Sequence, residues 1–239
     1  MCIRDSHWSE DHPAFQIAAS RRMLANEGCE SRVAGHVSLR DGEDAFWVST
    51  FGYFGETLPE QVIKVNFHLE RLEGTWTPSP AVAFHASLLR DRPEAQSVVH
   101  LHSRWVEVLS TTGNDLGMYS TDAVLFYDDQ AHYYDDGVQT PVDGDRMSQL
   151  LGSKRLLIMD NHGALVVEDT LEAATVKAIA LESSARAHVL AQLIGGKEMP
   201  EAEAARSKAD YHTYFIPMMW EACYRHLRKS DPDLFECLE

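Results

Sequence analysis

The chain has 239 residues, 44% hydrophobic and 24% charged, a balance that suits a globular protein and excludes a disordered one. No apolar run reaches the roughly 18 residues of a membrane span, and a formal net charge of −16 repels polyanions, so neither a membrane nor a nucleic acid is expected as partner. The cysteines Cys2, Cys29, Cys223 and Cys237 form no Cys-x-x-Cys pair, and the start lacks the pattern of a secretory signal, so a reducing cytoplasm is the expected setting.

Residues 1–12 read as a tail. From Pro13 to Glu27, Phe15, Ile17, Ala18, Met23 and Leu24 mark one face of a helix that ends near Gly28. Three short strands follow at His36–Leu39, Ala45–Ser49 and Val62–Val65, each bounded by Gly, Asp or Pro. A helix is predicted over Pro80–Arg90, stopped by Pro93; then a strand over Ser97–Leu101 and the start of a helix at Val106–Ser110. Leu156–Met159 and Ala164–Val167 read as strands around a turn at Asn161–Gly163. The strongest helix spans Thr170–Leu193, rich in Ala and Leu and ending before Gly195–Gly196, with a helical extension over 201–239. Strands in the middle and helices at both ends predict a layered α/β or α/β/α domain.

Two histidines at spacing two, His100 and His102, sit in a predicted strand, where an extended backbone sends both side chains to one face about 6 to 7 Å apart. Both imidazoles can reach one ion. A catalytic zinc site takes three protein ligands and keeps a position open, and His162 offers the third from a sharp turn before Gly163. The same spacing also suits two half-buried strand histidines and an unrelated turn residue.

The segments Gly35-His36-Val37-Ser38-Leu39-Arg40, Phe84-His85 through Arg92-Pro93-Glu94, Val98-Val99-His100-Leu101-His102-Ser103, Asn161-His162-Gly163-Ala164-Leu165-Val166, and Leu171-Glu172-Ala173-Ala174 with Leu181-Glu182 resemble, in order, those of the class II aldolase/adducin family. The resemblance covers residues 14 to 194. It implies a single domain over 13–200, folded as an α/β/α sandwich with a mainly antiparallel sheet, often assembled as a homotetramer. It also implies a divalent metal, zinc first and Fe²⁺ or Mn²⁺ as alternatives, on His100, His102 and His162. Residues expected to border a small-molecule substrate are His36, Ser38, Thr50, Gly52 and Ser79.

The departures bear on the chemistry. Where aldolases of the family carry Pro-Ser-Ser-Glu, this chain has Pro78-Ser79-Pro80-Ala81, so the proton-transferring glutamate is gone; His36 and Thr50-Phe51-Gly52 also replace residues that hold a phosphate. Proton transfer then falls to His85, about one helical turn beyond Ala81, or to Tyr127, Tyr133 or Tyr134. Asp128-Asp129 and Asp135-Asp136 read as solvated loop, with the option that one carboxylate orients a ligand histidine. The expected activity is carbon–carbon lyase chemistry, aldol cleavage or decarboxylation through a metal-stabilised enediolate, on a hydroxy-carbonyl compound or hydroxy-aromatic acid. The alternatives are an Fe(II) oxygenase on the same scaffold and a non-catalytic, adducin-like interaction module.

Overall fold

The computed structural model describes residues 8–134 and 143–238. Helix α1 covers Pro13–Asn26. His12 caps it, accepting from the amide of Ala14 at 3.1 Å, and Pro13 opens it where no amide is needed. Strands β1 (His36–Asp41), β2 (Ala45–Ser49), β3 (Val62–Asn66) and β4 (Arg71–Glu73) run as a meander. Helix α2 (Val82–Asp91) crosses to β5 (Ser97–Leu101), and α3 (Arg104–Ser110) follows. Then come β6 (Gln130–Tyr133), α4 (Gly144–Leu151), β7 (Leu156–Met159), β8 (Gly163–Glu168) and the long α5 (Leu171–Leu193). The chain closes with α6 (Glu201–Asp210), a π-helical turn over Tyr211–Phe215, α7 (Ile216–Ser230) and α8 (Pro232–Phe235).

The eight strands form one sheet in the order β4-β3-β2-β1-β5-β8-β7-β6. Every pairing is antiparallel except β6 with β7. Val37, Val99, Leu101, Ile158 and Val166 face α1, α3 and α5 in one hydrophobic layer, while Val48, Val98, Leu157, Leu165 and Val167 face α2 and α4 in another. This is the expected α/β/α sandwich, a single domain with a mainly antiparallel sheet. In the central β5 and β8 every residue is buried, so their sequences run apolar without alternation.

Several expectations shift. Helix α2 begins at Val82 rather than Pro80 because Ser79 to Ala81 form a tight lead-in turn, with the amides of Val82 and Ala83 bonded to the carbonyls of Ser79 and Pro80. Strands β4 and β6 and helix α4 are additional elements: β4 is exposed and β6 carries Gln130 and His132, so neither shows the apolar pattern of a strand. The extension over 201–239 packs into the main core, with Ile216, Cys223, Leu227 and Leu234 in the same cluster as Phe15 and Leu24. Of the expected tail, residues 1–7 lie outside the described residues, and Trp8 is half-buried and forms a β-bridge with Leu238. Among the described residues no helix is long and apolar enough to cross a membrane.

Candidate metal centre

Strand β5 delivers His100 in the middle of the sheet, 1% exposed, on the face that packs against α2. His102 follows the last strand residue, where the chain must turn into α3. That turn is fixed twice: Ser31 Oγ accepts from the His102 amide at 3.0 Å, and the Glu182 carboxylate on α5 accepts from Ser103 Oγ at 2.8 Å and from the amides of Trp105 and Val106 at 3.1 and 3.0 Å. A buried carboxylate thereby satisfies amides that would otherwise stay orphaned at the start of a helix.

His162 comes from the β7–β8 turn. Asn161 takes a left-handed conformation at φ 56°, which asparagine tolerates better than most residues. The Asn161 and His162 amides donate to Ser110, to its carbonyl at 3.1 Å and its Oγ at 3.2 Å. Gly163 is required by space: a Cβ there would lie 2.1 Å from the Leu101 carbonyl oxygen. The missing side chain lets β8 approach β5 closely enough for His162 to meet the other two.

The three rings converge. Nε2 of His100 and Nε2 of His102 are 2.8 Å apart, and the ring centroids of His162 lie 5.4 Å from His100 and 4.6 Å from His102. One ligand nitrogen from each falls within 4.8 Å of the others. His100 Nδ1 lies 3.1 Å from the Ala164 carbonyl, which can only accept, so that nitrogen carries the proton and Nε2 is left with its lone pair. For His102, the Glu107 carboxylate 4.0 Å from Nδ1 favours the proton on that side. Burial, then the neighbouring imidazoles, pushes the pKa of His100 well below the ordinary histidine value, and burial pushes that of His102 down to about 4. All of this suits neutral nitrogen donors, the form a metal requires. The donor set therefore fits a divalent ion.

Behind His100 stands a second row. His36 on β1 pairs directly with His100 across the strands, and their rings stack at 6.4 Å with planes 5° apart. His85 on α2 is fully buried, with Nδ1 2.7 Å from Ser38 Oγ, and its pKa is driven down to about 3 by burial. Among the described residues, neither ring nitrogen of His36 nor Nε2 of His85 has a well-formed hydrogen bond. Thr50 and Gly52 flank this row through Phe51, whose ring edges His36 at 5.8 Å. Their carbonyls accept from the buried Arg21 guanidinium, at 3.1 Å and 2.5 Å.

The structure thus brings His36, Ser38, His85, His100, His102 and His162 together, with Thr50 and Gly52 beside them. Hydroxyls of the expected substrate group have internal partners: Ser38 with His85, Thr50 donating to the Gln61 carbonyl at 2.8 Å, and Ser79 accepting from the Ala81 amide at 3.2 Å. Tyr127 and Tyr133 are not brought together. Tyr127 packs half-buried on the α1/α5 layer, whereas Tyr133 is buried in the α2/α4 layer beneath the Arg146 guanidinium. Tyr134 is exposed. Asp129 is largely buried and engages Lys208 and the Arg155 amide, so it is not solvated loop; Asp135 and Asp136 lie outside the described residues.

Sequence reasoning missed three supports of the site. Arg21, Glu107 and the role of Glu182 had no local signal, because each acts on residues distant along the chain or across a helix turn. His132 is a further case: its Nδ1 is 3.3 Å from Asp160, the residue that begins the His162 turn, and its Nε2 is 2.9 Å from Asp115.

Comparison with known proteins adds the lineage. The family described as Class II Aldolase and Adducin N-terminal domain matches residues 15–189. The chain is 29% identical over 200 residues to the 4-hydroxy-3-prenylphenylpyruvate oxygenase/4-hydroxy-3-prenylbenzoate synthase of Streptomyces roseochromogenus subsp. oscitans, covering 80% of this chain and 72% of that one. It is 29% identical over 201 residues to Decarboxylase NovR of Streptomyces niveus, covering 80% and 74%. The solved L-fuculose 1-phosphate aldolase from Glaciozyma antarctica PI12 superposes with a TM-score of 0.80 at 27% identity, over 92% of this chain and 90% of that one. Relatives of this chain thus include both decarboxylases and aldolases. With the family matched over most of its length and the fold shared, the chain belongs to the class II aldolase/adducin family.

Proposed function

We propose that the protein is a metal-dependent carbon–carbon lyase acting on a small hydroxy-carbonyl compound or hydroxy-aromatic acid, with His100, His102 and His162 as the ligands of one divalent ion. The observation that carries this is the convergence of three imidazole nitrogens within 4.8 Å. Zinc is the first candidate and Fe²⁺ or Mn²⁺ the alternatives, since imidazole suits all three. Such an ion supplies Lewis-acid stabilisation of the negative charge left when a carbon–carbon bond breaks.

The chain's own residues do the rest. Ala164 and Glu107 hold His100 and His102 in the tautomers that present Nε2. His36, stacked behind His100, keeps the back of the site dry and offers ring nitrogens with no well-formed hydrogen bond among the described residues. His85 is the group that stands in for the missing glutamate, acting from behind His36 through its free Nε2; at 0% exposure it exchanges protons only with what enters the site. Of the cations felt at these histidines, Arg21 is turned to the loop carbonyls, while Arg32 acts on His102.

Metal quantification after purification under anaerobic conditions, followed by a screen for decarboxylation and retro-aldol cleavage, tests the reading. One metal per chain is expected, falling close to zero in His102→Ala, together with turnover of at least one acid of the stated class. A full metal site with no cleavage of any such compound would sink it. A second reading, oxygenase chemistry on the same ion, is favoured by the name of the Streptomyces roseochromogenus relative. Oxygen uptake on adding substrate separates the two.

A further inference from the structure

Strand β8 begins at Gly163 beside the histidines and ends at Glu168, so its two ends lie roughly 17 Å apart. At the far end is a cavity of about 480 Å³, within the size range of small-ligand sites. Its inner wall holds the buried pair Lys177 and Glu168, 2% and 1% exposed, bonded Nζ to Oε1 at 2.5 Å. Asp129 Oδ2 lies 3.2 Å from Lys208 Nζ and 4.0 Å from Lys177 Nζ. Arg155 Nη1 stands 3.6 Å from Glu168 Oε2, and this buried nitrogen has no hydrogen-bond partner among the described residues.

The wall carries three cations, Arg155, Lys177 and Lys208, and three carboxylates, Asp129, Glu168 and Asp169, in a chain whose net charge is −16. Two of these cations, Arg155 and Lys177, keep N–H groups with no hydrogen-bonded acceptor among the described residues. The Lys177 ammonium has three N–H groups and one short bond, and a buried guanidinium nitrogen without a hydrogen bond is costly unless something accepts from it. The π-helical turn Tyr211–Phe215 sets His212 and Thr213 on the rim, two further donors. Such turns are frequent at functional sites.

We propose that this cavity is a second ligand site, separate from the histidine cluster, for a small oxyanion such as a carboxylate or a phosphate. The rival occupant is a cation, since Glu168, Asp169 and His212 place ligand atoms within 4.8 Å of one another. Glu168 is already engaged by Lys177 and faced by Arg155, and both repel a second positive charge. The anion is the better complement.

Calorimetric titration of the full-length, EDTA-treated protein with inorganic phosphate, and separately with acetate, tests this. Saturable binding of at least one anion at one per chain is expected, weakened about tenfold or more in Arg155→Gln and in Lys208→Gln and unchanged in His102→Ala. Melting curves check that each variant folds, and Lys208→Gln, at a half-exposed position, decides the matter if Arg155→Gln does not fold. Three results overturn the proposal: no saturable binding of either anion, binding that falls with His102→Ala but not with the cavity variants, or a second Zn²⁺ per chain that disappears in His212→Ala.

Discussion

Gly163 shows how much of the centre depends on single atoms. An added methyl there meets the Leu101 carbonyl at 2.1 Å, a distance no Cβ tolerates, and both atoms belong to paired strands that can relieve the clash only by separating. Gly163→Ala should therefore cost about 2 to 3 kcal/mol of stability by overpacking and abolish metal binding, read by chemical denaturation and a Co²⁺ titration. Unchanged metal affinity would mean that His162 does not need this approach. The buried histidines carry a second consequence. His85 titrates near 3 in the folded chain against an ordinary 6.5, and His36 is likewise held down by burial. As pH falls below 6.5 the unfolded chain takes up protons that the folded chain refuses, so stability is full above that value and is lost on the way down to about 3, each such histidine contributing up to about 1.4 kcal/mol per pH unit. Thermal melts of the EDTA-treated protein between pH 7 and 5 should show this fall, with a shallower slope in His85→Asn; identical slopes would contradict it.

Among the elements, α3 depends on a residue of another helix. Glu182→Ala leaves Ser103 and the amides of Trp105 and Val106 without their acceptor, which should cost about 1 to 2 kcal/mol and loosen His102 at the foot of the helix, seen as a lower Tm and weaker metal binding together. A drop in Tm with intact metal affinity would confine Glu182 to folding. The central strands and α5 are legible in the sequence because burial on both faces makes them apolar without interruption, and His100 and His102 are legible because strand alternation fixes their common side. Edge strand β6 is not, since Gln130 and His132 are used for contacts with the Leu116 backbone and with Asp115 and Asp160 rather than for apolar packing. The second row of the site is half-legible: His36 and His85 stand out as residues, yet the adjacency of His36 to His100 follows only from the β1–β5 register and that of His85 to His36 from the packing of α2 on the sheet. Arg21 reaches its loop 29 and 31 residues away, a distance over which local pattern carries no information.

For the molecule as a whole, the C-terminal Asp231-Pro232-Asp233-Leu234 segment acquires a physical role. Arg22 on α1, 4% exposed in its side chain, bonds Asp231 at 3.2 Å and Asp233 through two nitrogens at 2.8 Å each, while its Nε donates to the Thr57 carbonyl. Leu234 is buried in the main core. Removing the cation leaves the nearly buried Asp231 carboxylate to Asn26 and Ser230 alone, so Arg22→Ala should destabilise by about 1 to 2 kcal/mol, and Arg22→Lys should recover only part because lysine cannot make the paired contact. Urea denaturation measures both; full recovery by lysine would show that charge alone suffices. The bridge between Trp8 and Leu238 carries this closure to the limits of the described chain. With residues 8 and 238 side by side, the described backbone is nearly a ring, and the order in which its elements are synthesised is separable from the way they pack. A circular permutant with 8 and 238 joined by a short linker and new ends cut in the β1–β2 turn at Gly42 would present the same histidines on the same sheet.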